Sequence, residues 1–239
     1  MNAELLRRYL EFYQDLGIKT LYKQQAAFET SKAPQPLPAL APSGDSLVQI
    51  RADIGDCRRC RLCESRSKIV FGVGNEKSPL VFVGEGPGAE EDAQGIPFVG
   101  RAGQLLTQMI ENTAKKEGIP LLRDDVYICN VVKCRPPGNR PPEKDEVDAC
   151  SPFLFRQLEA IHPRLICCLG APAVRTVLGL KEGMLKVRGR FYDYGGAKAI
   201  ATVHPAYVLR NPREEKILQE DFEKIREFLK GETGKRGDG

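Results

Sequence analysis

Three short apolar runs constrain this chain more than any other feature. "LVFV" at 80–83, "VYICN" at 126–130 and "LICCL" at 165–169 are rich in β-branched and aromatic residues and lack polar alternation. Runs of that length suit strands buried on both faces of a sheet. Stretches with helical spacing separate them. Helices are expected at 46–56, 101–117, 143–160, 171–178 and 214–230, with further strands at 68–71, 190–194 and 198–203. Strand and helix in alternation predict an α/β fold, a central, mainly parallel sheet covered by helices on both faces. In such sheets ligands bind beyond the carboxyl ends of the strands.

That rule brings three loops to one rim: "GEGPGAEED" from residue 84, "NVVKCRPP" from 130 and "HPAYVLRNP" from 204. The first has the strand–glycine–helix layout of a phosphate-cradling loop. Its carboxylates Glu85, Glu90, Glu91 and Asp92 would repel an anion, so its ligand is expected to be something other than a phosphate. His204 follows a strand and is the candidate catalytic histidine. His162 precedes one, at the opposite edge, and is expected at the surface or at a helix end.

The eight cysteines divide by context. Cys129, Cys167 and Cys168 lie in the apolar runs and are expected to be buried strand residues. Cys57, Cys60, Cys63, Cys134 and Cys150 adjoin basic residues and prolines. Cys57-x2-Cys60 and Cys134-x15-Cys150 are two pairs, distant in sequence, that can converge on one tetrahedral site. Four thiolates suit either Zn²⁺ or an iron–sulfur cluster. The long gap between the pairs does not match a zinc ribbon and tips the balance slightly toward a cluster. Basic residues around these cysteines could grip a phosphate backbone, or be solvated surface charges. The net charge of +4 is too mild to imply nucleic acid by itself.

The start, "MNAELLRRYLEFYQDLG", mixes charges among its apolar residues and does not read as a secretory signal. No run approaches the roughly 18 apolar residues of a membrane span. A cytoplasmic, nucleoid-associated monomer without membrane attachment is expected, with cysteines reduced rather than paired. Residues 1–30 form an expected helical segment, with helical spacing at 4–26. Residues 31–46, holding several prolines, form a linker; 47–230 form the main domain; 231–239 are a disordered tail.

Taken together, "VFGVGN", "VGEGPGAEEDAQGIPFVGRAGQLL", "YICNVVKCRPPGNRPP" and "HPAYVLRNP", with four cysteines at these spacings, resemble the family 4 uracil-DNA glycosylases from about residue 48 to residue 228. The resemblance implies a three-layer α/β/α sandwich and a [4Fe–4S] cluster, zinc being less favoured, on Cys57, Cys60, Cys134 and Cys150, with Cys63 left out and a swap of Cys63 for Cys60 as the alternative. It implies uracil-containing DNA as partner and hydrolysis of the N-glycosidic bond to leave an abasic site. Gly86, Pro87 and Gly88 would lie against the flipped base, Phe98 would stack on it, and Glu91 would crowd its C5 edge against thymine's methyl. Asn130 would match the O4 acceptor and N3–H donor of uracil and mismatch cytosine. His204 would hydrogen-bond O2 of the leaving base, and Glu85 would position water or stabilise the cationic sugar. Val208 or Leu209 would fill the vacated stack, with Arg210 on a phosphate. The resemblance gives no lysine the part of a Schiff-base nucleophile, so a monofunctional enzyme is expected.

Two rivals stand beside this. A crosslinking or non-catalytic iron–sulfur uracil-DNA-binding protein is one. The crosslinking branch of the superfamily carries an Arg-rich, His-containing insertion after the glycine loop, where "AEEDAQGIPFVG" here passes straight through. The other is a partner of a replication enzyme, docking through residues 1–46.

Overall fold

The computed structural model describes residues 44–117 and 121–233, all within the compact unit Leu37–Gly239. The helix expected over 4–26, most of the proline-rich stretch and residues 234–239 lie outside the described residues.

Helix α1 (Leu47–Ile54) starts where Ser46 caps it: Ser46 Oγ accepts from the Gln49 N–H, and Gln49 Oε1 accepts in return from the Ser46 N–H at 2.7 Å. The chain then forms β1 (Val73–Gly74), β2 (Leu80–Gly84), α2 (Ala89–Gln94), α3 (Arg101–Glu117), β3 (Tyr127–Asn130) and α4 (Lys144–Ile161). It continues as β4 (Leu165–Leu169), α5 (Ala171–Leu178), α6 (Met184–Val187), β5 (Phe191–Tyr194), β6 (Ala197–Thr202), α7 (Pro205–Arg210) and α8 (Glu215–Thr233). The six strands form one sheet in the order β1-β3-β2-β4-β6-β5. The inner four are parallel, and the edge strands β1 and β5 are antiparallel.

Strand side chains alternate between two cores. Val81, Val83, Cys129, Ile166 and Cys168 face one layer with Ile50 of α1, Leu154 and Leu158 of α4 and Val174 of α5. Leu80, Phe82, Ile128, Cys167 and Ile200 face the other, with Leu106 and Ile110 of α3 and Leu218 and Phe222 of α8. Each fully buried aliphatic or aromatic side chain of this kind contributes about 1.5–3 kcal/mol. The result is the three-layer α/β/α sandwich, and the three cysteines expected in strands are fully buried there.

Two expectations need correction. Residues 68–71 are not a strand: Val70 and Phe71 are buried, but the segment crosses the core as extended coil, with the Val70 N–H bonded to the Lys133 carbonyl. Pairing begins only at Val73. "HPAYVLR" is not a loop but α7. His204 is its N-cap and Pro205 its first residue, a position where the missing N–H of proline costs nothing. His162 caps the C-terminus of α4 and is exposed, as expected.

Candidate functional site

Strands β2 and β3 stay zipped past their ends: Val131 and Val132 donate to the carbonyls of Gly84 and Glu85. This sets the glycine loop beside Asn130, which pairs with Gly84 in register. Asn130 is 1% exposed, and its Oδ1 has no hydrogen-bond partner. A buried amide oxygen left unpaired costs about 1–3 kcal/mol, so it marks a place where a donor belongs.

Phe98 lies against the same spot. A Cβ on Gly84 would stand 2.4 Å from Asn130 Oδ1 and 2.5 Å from Phe98 Cζ. The glycine is therefore what lets ring and amide share the end of β2. Phe98 has φ of 53°, rare for a bulky residue, and its carbonyl would be 1.8 Å from a Cβ on Gly103. The Phe98 ring stacks on His204 with centroids 5.5 Å apart. The sequence reading missed Gly84 and Gly103, although both lie inside the quoted motif.

His204 Nδ1 accepts from the Ala206 N–H at 3.1 Å. In the neutral ring the proton therefore sits on Nε2, free to be donated. Burial, and then the positive charge of Arg210, push the imidazole down to about 4. It is a neutral donor across the physiological range.

Two of the loop's four carboxylates turn out to be structural. Asp92 accepts from the N–H groups of Ser67 and Lys68. Glu91 accepts from Gly88 at 3.1 Å and from Val99 and Gly100 at 2.9 Å each. The carboxylate expected at the C5 edge of a base thus staples the glycine loop to the Phe98 segment. Gly86 and Gly88 have close neighbours in Val132 and Glu91, and Pro87 is buried. Glu85 is not held in this way. Burial raises its carboxyl above the ordinary value, and Arg175 partly offsets that.

On α7 the three expected DNA-wedge residues separate. Val208 is 2% exposed and packs in the second core with Leu218 and Phe222, so it cannot enter a helix stack. Leu209 is half-buried, while Arg210 and Tyr207 are exposed. Tyr207 was not foreseen.

Cys57, Cys60, Cys134 and Cys150 line one cavity between α1, the segment after it, the loop after β3 and α4. Cys63 does not line it. Three of the four sulfurs meet N–H donors: Arg59 at Cys57 (3.6 Å), Arg66 at Cys134 (3.5 Å) and the Lys133 main chain at Cys150 (3.3 Å). Such donors suit thiolate ligands, because they stabilise negative sulfur. Burial pushes the bare Cys134 thiol up to about 12, so ligation must displace protons. Among the described residues no three His, Cys, Asp or Glu side chains are grouped as one metal ion would require. Four thiols around a shared cavity fit a multi-iron cluster.

The surrounding basic residues are largely neutralised within the protein. Arg61 and Arg140 converge on buried Glu146, holding its carboxyl down at about 2, and Arg66 pairs with Asp56. The expected phosphate grip of this lobe is correspondingly weakened.

A neutral donor, an unpaired buried amide and an aromatic ring thus meet at the carboxyl rim of a parallel sheet, next to a four-thiol lobe. The family model of the Uracil DNA glycosylase superfamily matches residues 71–230, and the chain belongs to that superfamily. The type-4 uracil-DNA glycosylase of Sulfurisphaera tokodaii is 47% identical over 192 residues, 77% of this chain and 85% of that protein. That of Thermotoga maritima is 47% identical over 193 residues, 79% of this chain and 97% of that protein. A type-5 uracil-DNA glycosylase of Pyrobaculum aerophilum is 31% identical over 172 residues, 67% and 75% of the two chains. Among the described residues no helix is long and apolar enough to cross a membrane.

Proposed function

We propose that this chain is a monofunctional uracil-DNA glycosylase that flips uracil out of DNA and hydrolyses its N-glycosidic bond, opening base excision repair. The observation that carries the reading is the unpaired Oδ1 of buried Asn130. The N3–H of uracil supplies the missing donor, while the amide N–H of Asn130 meets O4. Cytosine would set acceptor against acceptor and donor against donor, leaving buried groups unpaired at about 1–3 kcal/mol each. Extruding the base costs a few kcal/mol, least at a mispair, which favours uracil opposite guanine. Phe98 stacks on the extruded ring, contributing roughly 1–3 kcal/mol.

In the chemical step the C1′–N1 bond breaks and its electron pair leaves with uracil. His204 Nε2–H stabilises the charge that develops on O2, and its neutrality means no proton is transferred to the base. Glu85 positions the water whose oxygen bonds to C1′, and its charge favours the cationic sugar. The proton that water sheds is lost to solvent, from which the departed uracil anion takes one up. Leu209 fills the gap in the stack, and Arg210 meets a phosphate. Cys57, Cys60, Cys134 and Cys150 would hold a [4Fe–4S] cluster, which when bound would cross-link the segment after α1, the β3 loop and α4.

An oligonucleotide with a single uracil, beside matched cytosine and thymine controls, tests this directly. Alkali-dependent scission only at uracil is expected. An inert protein that binds DNA would return the chain to the non-catalytic reading, and a stable covalent product would assign it to the crosslinking branch.

A further inference from the structure

The reaction above makes no use of Lys133, which is 1% exposed in the loop leaving β3. Its Nζ donates to the main-chain carbonyl of Asn130 at 2.7 Å and to Gln157 Oε1 at 2.5 Å. Gln157, fully buried in α4, is itself fixed, with Nε2 donating to the Phe71 carbonyl at 3.0 Å and the Tyr127 hydroxyl at 3.2 Å. The Lys133 main chain is tied at both ends, its N–H to Cys150 Sγ and its carbonyl to the Val70 N–H.

We propose that Lys133 is a positioning residue for base selection. It clamps the Asn130 carbonyl to the rigid Gln157 and so fixes the direction in which the Asn130 amide points. Asn130 is the last residue of β3, where the ladder can no longer hold it from both sides. On one flank Gly84 pairs with it in β2. Its carbonyl is taken by the lysine three residues on, which folds back and closes residues 130–133 into a ring. A side-chain amide reads a base only if its donor and acceptor are held to within about 0.5 Å. The Asn130 Oδ1 has no partner of its own to hold it. Its aim is therefore inherited from the backbone, and the backbone is held by Lys133. The main-chain bond to Cys150 means that the same residue joins the four-thiol lobe to the base pocket.

The inference rests on the uracil-glycosylase reading, and a double-mutant cycle separates the two. Lys133→Met keeps the four-atom unbranched stem of the side chain and removes the donor. Uracil excision is expected to fall roughly 10- to 100-fold, with inhibition by free uracil weakened in step. In an Asn130→Ala background the same change should cost no more than about twofold, because there is no amide left to aim. Lys133→Gln, which keeps a donor, should recover part of the loss. Visible absorbance of the cluster and thermal melting report whether each variant is intact. If Lys133→Met does not fold, Gln157→Met, which removes the lysine's anchor, runs the same cycle. Losses that multiply in full across the two backgrounds would overturn the role of Lys133 alone. A wild-type chain inert on uracil DNA would overturn the functional reading and this role with it.

Discussion

His204 is where a single residue's surroundings decide its chemistry. Its pKa of about 4 lies below the ordinary 6.5, because burial and Arg210 both disfavour the charged ring. Above pH 6.5 it is neutral whether the chain is folded or not. As pH falls from 6.5 toward 4 the unfolded chain takes up a proton first, so the native state loses stability across that window. Thermal melting from pH 7 to pH 5 should show that loss, and His204→Asn should reduce it. The rate should show no step at pH 6.5, since a neutral donor persists below it. The acid limb of kcat/KM should instead follow Glu85, whose carboxyl burial raises above 4.5. A break at 6.5 that disappears in His204→Asn would refute the neutral-donor role.

At the scale of elements, the junction of β2 with the Phe98 segment and the single turn-and-a-half of α7 carry the site. Gly84→Ala would drive a methyl into both Asn130 Oδ1 and the Phe98 ring. Neither can retreat far, since Phe98 is backed by His204 and Asn130 is fixed in β3. A loss of about 1–3 kcal/mol in stability is expected, with excision falling by roughly 100-fold because both recognising groups move. Equilibrium denaturation and the oligonucleotide assay measure the two effects. On α7, Val208→Ala should lower stability by about 1–3 kcal/mol and leave KM unchanged, as befits a core residue. Leu209→Ala should do the opposite: unaltered melting, but several-fold slower excision from duplex than from single-stranded DNA, where there is no stack to fill. Equal losses on both substrates would remove Leu209 from the wedge.

For the whole molecule, the four-thiol lobe gathers parts distant in sequence around one cavity, which the proposed cluster would cross-link. Cys57 and Cys60 come from the segment after α1, Cys134 from the β3 loop and Cys150 from α4. Removing the proposed cluster by chelation or Cys150→Ser should lower the melting temperature by roughly 5–15 °C. Iron content and visible absorbance would track the loss. Arg61 and Arg140 of the lobe are paired with Glu146, and Arg66 with Asp56, so DNA affinity should rest more on the α7 rim than on this lobe.

The sequence alone was enough for the strands β2 to β6, the long helices and the two cysteine pairs. Each is written locally, as an apolar run, a helical period or a spacing. It was enough also to bring Asn130 and His204 to the carboxyl rim, since a strand's carboxyl end follows from the order of the elements. Local pattern failed where distant neighbours chose the outcome. "KIVF" has the composition of a strand, yet Lys133 takes the N–H of Val70 and leaves it as coil. Glu91 looks like a ligand-facing carboxylate until three backbone N–H groups close on it. Val208 and Leu209 are adjacent apolar residues, and only the packing of α7 against the second core buries one and leaves the other half-exposed. The sequence by itself determined which elements form and which residue types reach the rim. The tertiary structure alone decided which of those side chains are used up in holding the rim together and which are left unpaired there. That division depends on contacts between residues far apart in the chain, and no local spacing encodes them.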